Sequence, residues 1–450
     1  MRKHGRRPGH GAPPPGRGWL LRLVIAFSFA QGAVSMARPA VSYRALSLGA
    51  DERAIGVIAG VYALLPLFAA VPLGRRTDHG RCAPLLPSGV ALIAGGCALS
   101  GTASSLAALA AWSGVMGLGH LCFVIGAQSI VARQSAAAEQ DRNFGHFTIG
   151  ASLGQLVGPI AAGALIGPDM DRTSAVALVA SAGVGAIALT SLWRIEHGGS
   201  AGARVREAAG TAAGREAVGP PGKVPVLGIL RARGVPAGIF ISLAVLSATD
   251  ILTAYLPVVG EHRGIAPATV GVLLSLRAGA TIACRLVMTP LVRVLGRRVL
   301  IAVTCLLGAV LCAGVAVPVP VWALGAMLVL LGFCLGVGQP LSMTTVVQAA
   351  PAEARSTALA LRLTGNRLGQ VAAPAGAGAI AGVAGVGAPF VMLGALLLAA
   401  AALSLRRGAP GGAHSPGPGP RTPGAGPGAG RPHFPADRGP GPRTQDRPGG

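Results

Sequence analysis

The chain has 450 residues, of which 52% are hydrophobic and only 12% charged, with a mean hydropathy of +0.60. A soluble domain carries roughly a quarter of its residues as Asp, Glu, Lys and Arg, and one aqueous core cannot hide this much apolar surface, so lipid is the expected solvent. The formal charge of +23 would suit nucleic acid in a soluble protein, but the basic residues gather in the tails and alternate loops, which argues against that partner.

A helix crossing a hydrocarbon core of about 30 Å needs about 20 apolar residues. In chain order, the first such run is 19–40, preceded by Arg2, Lys3, Arg6 and Arg7. Ser35-Met36-Ala37 resembles a signal-peptidase site, yet a retained span is expected because the repeat described below needs a helix there. Runs at 54–74, 84–101, 106–131, 144–166 and 173–193 follow. Residues 194–236, basic and rich in Gly, Ala and Pro, read as a linker that cannot bury a core. Six more runs lie at 237–259, 268–291, 299–317, 321–345, 355–380 and 387–404. The expected organisation is therefore a disordered tail over 1–18, a bundle over 19–193, the linker, a second bundle over 237–404, and a disordered tail over 405–450.

Loop charges set the expected orientation. Arg75, Arg76 and Arg81 follow the second span, Arg133 and Arg142 the fourth, the basic linker the sixth, and Arg293, Arg297 and Arg298 the eighth. By the positive-inside rule both termini are expected on the cytoplasmic side of an inner or plasma membrane. The cysteines, among them Cys97, Cys122, Cys284, Cys305, Cys312 and Cys334 inside apolar runs, lack zinc-ligand spacing and read as small packing residues.

The two halves share one register. A shift of 215 places Gly56 on Gly271, Gly74 on Thr289, Gly117 on Gly332 and Gly150 on Gly365. The same shift lays Gly154-Gln155-Leu156-Val157-Gly158-Pro159 on Gly369-Gln370-Val371-Ala372-Ala373-Pro374. Paired bundles enclosing a midplane cavity can rock and expose it to each side in turn, a motion a channel does not need.

Pro72-Leu73-Gly74-Arg75-Arg76-Thr77-Asp78-His79-Gly80-Arg81 resembles the loop signature of the major facilitator superfamily, one residue short of its usual spacing. The resemblance implies a cytoplasmic gate in which Asp78 and Arg81 latch helix ends, with Gly74 and Gly80 shaping the turn. In the second half Thr289-Pro290-Leu291-Val292-Arg293 keeps a worn copy with Arg293 at the acid position. Gly145, Gly154, Gly158-Pro159 and Ala162-Gly163 resemble the antiporter signature of that family's exporters, with Ala162 in place of a glycine. Glycines at four-residue steps admit another helix backbone, and the proline bends the helix. Ser113 stands four residues before Gly117, where those exporters often carry an arginine associated with proton coupling. The resemblance thus implies an all-α membrane protein of twelve helices in two pseudo-symmetric six-helix bundles, acting in drug or metabolite export by proton antiport.

Ionisable side chains at mid-bilayer cost about 2.5–3.5 kcal/mol on insertion scales and so tend to face a cavity or one another. Asp250 is the clearest case, with Arg277 and Arg367 at similar depth. Either burial lets Asp250 carry a proton, or pairing with Arg277 or Arg367 keeps it ionised. Arg38, late in the first span, is a further candidate for the proton-coupling or substrate cavity, while Arg285 and Arg362 are shallow enough to snorkel to the interface. His120, Gln128 and Gln339 can supply cavity hydrogen bonds or simply tie helices together. Neither a Gly-rich phosphate loop nor a His-Glu metal helix is found, so no ATP drive, cofactor, metal or enzymatic role is expected. The expected function is proton-coupled efflux of a small molecule by a monomer, with import or exchange of an organic anion as the alternative.

Overall fold

The long apolar runs become helices because lipid offers backbone amides no hydrogen-bond partner, and a helix satisfies them within the segment. The structure, a computed structural model, describes residues 18–79, 82, 84–135, 139–192, 195, 226–232, 234–350 and 355–406. Among these the first six long helices are α1 (Gly18–Ser47), α2 (Glu52–His79), α3 (Leu85–Gly101), α4 (Leu106–Gln134), α5 (Gln140–Leu165) and α6 (Met170–Ile187). The second six are α7 (Val235–His262), α8 (Pro267–Leu295), α9 (Arg297–Ala316), α10 (Val321–Ala349), α11 (Arg355–Ala384) and α12 (Ala388–Arg406). A short helix, Val226–Arg231, precedes α7. The two predicted tails, apart from Gly18, Leu405 and Arg406, and most of the linker lie outside the described residues, as do Gly80 and Arg81.

Each predicted span lies within one of these helices or overlaps it, and most extend further. Ten helices carry a window long and apolar enough to cross a membrane, and α3 is an apolar helix of 17 residues. The exception is α11, whose Arg362, Asn366, Arg367 and Gln370 make it the most polar of the set. Large apolar side chains such as Phe68, Leu286, Val310 and Trp322 point outward, as a surface solvated by acyl chains requires.

Helix directions define two faces. The turns between α1 and α2, α3 and α4, α5 and α6, and their counterparts in the second half lie at a loop face. The ends at Gly18 and Arg406 lie at the opposite, terminal face. At the loop face Ser105 caps α4 through Ala108, and Asp169 caps α6 through Arg172, supplying acceptors for otherwise unpaired first-turn amides. Arg44 there donates to Asp171 and to the Ala103 carbonyl at 2.8 Å, tying α1 to α6 and the α3–α4 turn.

The 215-residue repeat is realised contact by contact. Gly117 of α4 packs on the Tyr62 backbone of α2, and its counterpart Gly332 of α10 packs on the Arg277 backbone of α8, Arg277 being the counterpart of Tyr62. Gly150 and Gly365 likewise meet the paired residues Val24 and Ile239. Lipid is as apolar as leucine, so packing of this kind, with backbones at close approach, is what holds the helices together.

Candidate functional site

The two halves meet near the loop face along two seams. In one, Gly56 of α2 lies against Pro374 and Gly378 of α11. In the other, Gly271 of α8 lies against Pro159 and Gly163 of α5. The seams are the same contact repeated, because each of these residues is related to its counterpart by the shift of 215. Gly163 closes further on Pro267 and Ala268, as Gly378 does on Glu52 and Arg53. The Tyr255 hydroxyl donates to the Glu52 carbonyl at 2.9 Å, and His262 Nε2 stands 3.5 Å from Glu52 Oε1.

The antiporter-type glycines therefore divide their work. Gly154 and Gly158 admit α1 through Ser28, Gly32 and Ser35, whereas Pro159 and Gly163 face α8 across the seam. Gly145 has nothing within 4 Å of the position a side chain would take. Of the loop signature, Gly74 and Asp78 fall in the last turns of α2.

Asp250 stands midway along α7, about 18 Å from one end and about 22 Å from the other at 1.5 Å per residue. Its partner is neither of the two arginines expected from the sequence. Arg38 of α1 reaches across from the other half and places Nη1 2.8 Å from Asp250 Oδ1. The second carboxylate oxygen accepts from Gln370 Nε2 at 2.9 Å, and Gln370 Oε1 accepts from Arg367 Nη1 at 2.9 Å. Depth alone could not choose among the arginines, because the choice depends on which way each helix face turns. Arg277 and Arg367 still act on Asp250 electrostatically. Arg277 is only 9% exposed, and its Nε has no hydrogen-bond partner.

On the N-terminal side the network continues through aromatic and amide groups. The Arg38 guanidinium lies 5.1 Å from the Tyr62 ring centroid, a cation–π arrangement. Gln31 Nε2 donates to Ser35 Oγ at 3.2 Å, which leaves Gln31 Oε1 facing His120 Nε2 at 3.0 Å. His120 Nδ1 then accepts the Tyr62 hydroxyl at 2.8 Å, so the imidazole is satisfied as its neutral Nε2–H tautomer. Sequence reasoning had placed Arg38 and His120 in the cavity but missed Tyr62. Its signal was its register, 215 residues before Arg277.

A cavity with an empty volume of about 380 Å³ opens on the loop-face side of this pair, between α1, α2, α4 and α7. Arg38 marks its inner end, Ser42, Tyr62 and Ser113 supply hydroxyls, and Val41, Ile55, Ile58, Met116 and Ala254 supply apolar wall. Ser113, standing at the exporters' arginine position, leaves room there that a longer side chain would fill. Arg38 keeps 20% of its side-chain surface exposed against 7% for Asp250, so the cation is the reachable member of the pair.

Two residues named from the sequence lie elsewhere. Gln128 is exposed toward the terminal-face end of α4. Gln339 of α10 donates to the Ser242 carbonyl at 2.9 Å and accepts from Arg362 Nη2 at 2.8 Å. Arg362 is consequently buried among α7, α10 and α11 instead of snorkelling to the interface, because Gln339 and Ser342 offer it acceptors inside the bundle. Arg285, by contrast, is exposed.

A family model described as Major Facilitator Superfamily matches residues 23–327 and 238–437. No curated protein matches the chain. Among solved structures, the nucleoside transporter NupG aligns with a TM-score of 0.68 at 13% identity, covering 86% of this chain and 98% of that one. A POT family transporter in complex with a thioalcohol-conjugated peptide gives 0.68 at 14% identity, covering 86% and 95%. A bacterial homologue of the human lysosomal transporter Spinster, inward-facing and unoccupied, gives 0.67 at 14% identity, covering 88% and 98%. At such identities the likeness speaks for the fold alone.

Proposed function

The chain belongs to the major facilitator superfamily and is a membrane transporter, and from that premise we propose that it is a secondary active carrier for proton-coupled efflux of a small solute. The observation that carries the reading is the Arg38–Asp250 pair, a buried carboxylate of one half held by a cation of the other at mid-helix depth. A group placed there can exchange protons with whichever face the cavity meets, and its charge state decides whether the halves stay tied. The antiporter-type run on α5 supports the efflux direction, since its proline and last glycine form a seam on which the halves rock. With the termini cytoplasmic in a cell membrane, as the loop charges favour, the seams lie near the outer face, and the chain works as a monomer.

A second reading, import or exchange of an organic anion, is favoured by the three guanidinium groups that surround a single carboxylate. Inside-out vesicles with an imposed pH gradient, incubated with a mixed metabolite panel in the medium and analysed by mass spectrometry, test both. Efflux predicts gradient-dependent accumulation that Asp250→Asn abolishes. Accumulation that ignores the gradient and the variant removes the proton from the mechanism.

A further inference from the structure

The loop-face end of the Gly56 seam carries a pair of ionisable groups that the packing does not require. Glu52 opens α2 one turn before Gly56, and His262 closes α7 on the other half, with Nε2 3.5 Å from Glu52 Oε1. That separation is long for a hydrogen bond between neutral groups, so charge is what can join the two side chains. The Tyr255 hydroxyl, 2.9 Å from the Glu52 carbonyl, ties the same two helices without any charge. The sister seam has no equivalent pair. The shift of 215 sets Glu52 opposite Pro267 and His262 opposite Ser47, yet Gly271 still packs on Pro159 there. Backbone contact thus closes either seam, and the ionic tie is an addition to one of them.

The surroundings single out His262 as the group that switches. From α2 come Asp51, Glu52 and Arg53; Asp51 Oδ1 accepts the Ala54 amide at 2.8 Å, and the Arg53 side chain lies against Gly382 of α11. From α1 come Tyr43, which faces Glu261 electrostatically, and Arg44, engaged with Asp171 and the Ala103 carbonyl. Beyond the end of α7, Arg263 donates to the Val315 and Ala316 carbonyls at 2.9 and 3.2 Å. Among the described residues α8, α9, α10, α11 and α12 bring no charged side chain to this end. Of the side-chain types gathered here, only imidazole ordinarily changes charge between about pH 5 and about pH 8. The His262 side chain is 51% exposed, so protons reach it from the loop-face side without entering the central cavity.

We propose that His262 is a second proton site, on the loop face and separate from Asp250, and that its protonated ring latches onto Glu52 and holds this seam shut. The pair exists only while the halves touch here, so a proton on His262 stabilises the closed loop face and its loss releases the latch. The proton is taken from the solvent on that side and returned to it. With the termini cytoplasmic, that side is the exterior, and an acid exterior slows the opening of the loop face. The latch regulates the cycle whether or not Asp250 carries the transported proton.

Spin labels on Thr102→Cys and Val317→Cys, one exposed at the loop face of each half, follow the opening in the full chain in nanodiscs. Any pH response from elsewhere in the chain is common to the labelled parent and to His262→Gln, so the quantity read is the difference between them. From about pH 8 to about pH 5 the ratio of closed to open molecules should rise by about 1.5- to 5-fold more in the parent, the range for a solvent-exposed ion pair. His262→Lys, cationic throughout, should hold the seam shut at both pH values. Glu52→Gln should abolish the difference, and Asp250→Asn should keep it. Glu52 and His262 lie at helix ends, and their two glutamine variants reach the same loss by independent routes. Equal pH responses in the parent and His262→Gln overturn the proposal. So does a difference that survives Glu52→Gln, that runs toward opening in acid, or that vanishes in Asp250→Asn. The vesicle flux assay judges the coupling role of Asp250 separately.

Discussion

Gly56 gives the sharpest handle on the alternating motion. A side-chain carbon built there would stand 2.6 Å from the Tyr255 hydroxyl oxygen and 2.8 Å from Gly378 Cα, and closer still to the Pro374 carbonyl. Two of these neighbours are backbone, so the seam must part for Gly56→Ala to fit. Overpacking of this kind costs about 1–3 kcal/mol. The gain in helix propensity from alanine is the same in every state of α2 and cancels, but the clash exists only while the loop face is closed. The ratio of loop-face-open to closed molecules should therefore rise by about 5- to 150-fold. Spin labels on Thr102→Cys and Val317→Cys, exposed turn residues at the loop face and counterparts under the 215 shift, report the separation of the halves. The described native cysteines are buried and should label little. Gly56→Ala should move the distance distribution to longer values, and Gly145→Ala, with open space around it, should leave it unchanged. An unchanged distribution in Gly56→Ala, or an equal shift in Gly145→Ala, refutes the seam as the moving contact.

Gly117→Ala drives a carbon into the Tyr62 backbone within one half, so thermal unfolding should show a loss of about 1–3 kcal/mol with no change in the Thr102–Val317 distance. Tyr62→Phe removes the donor to His120 Nδ1 and should cost about 1–3 kcal/mol in the same assay, and His120→Leu in that background should add less than it does alone. Arg44→Leu strands the Ala103 and Asp171 carbonyls and should cost about 1–3 kcal/mol, but Asp171→Asn, with its side chain 66% exposed, should cost about 0–1 kcal/mol. In a double-mutant cycle on Arg38→Gln and Asp250→Asn, the double variant should be more stable than the sum of the single losses predicts, because each single change leaves one buried charge unpaired.

The amino-acid order by itself determined the spans and the seams. Apolar runs of membrane-spanning length must be helical in lipid, and the glycines and prolines that kept step across the halves proved to be the residues where backbones touch, Gly56 on Pro374 as Gly271 on Pro159. A backbone contact of that closeness admits no side chain, so it leaves a mark in the sequence. The charged network left none of comparable clarity. The shift sets Asp250 opposite Ser35 and Arg38 opposite Thr253, so the repeat is silent where the halves differ. Helices that are apolar nearly all round give no periodicity from which to read a facing direction. Only the packed bundle decided that Asp250 turns to Arg38, that Arg362 turns inward to Gln339, and that the space left by Ser113 adjoins the reachable cation, because a few tens of degrees of helix rotation separate those outcomes and packing alone sets that angle.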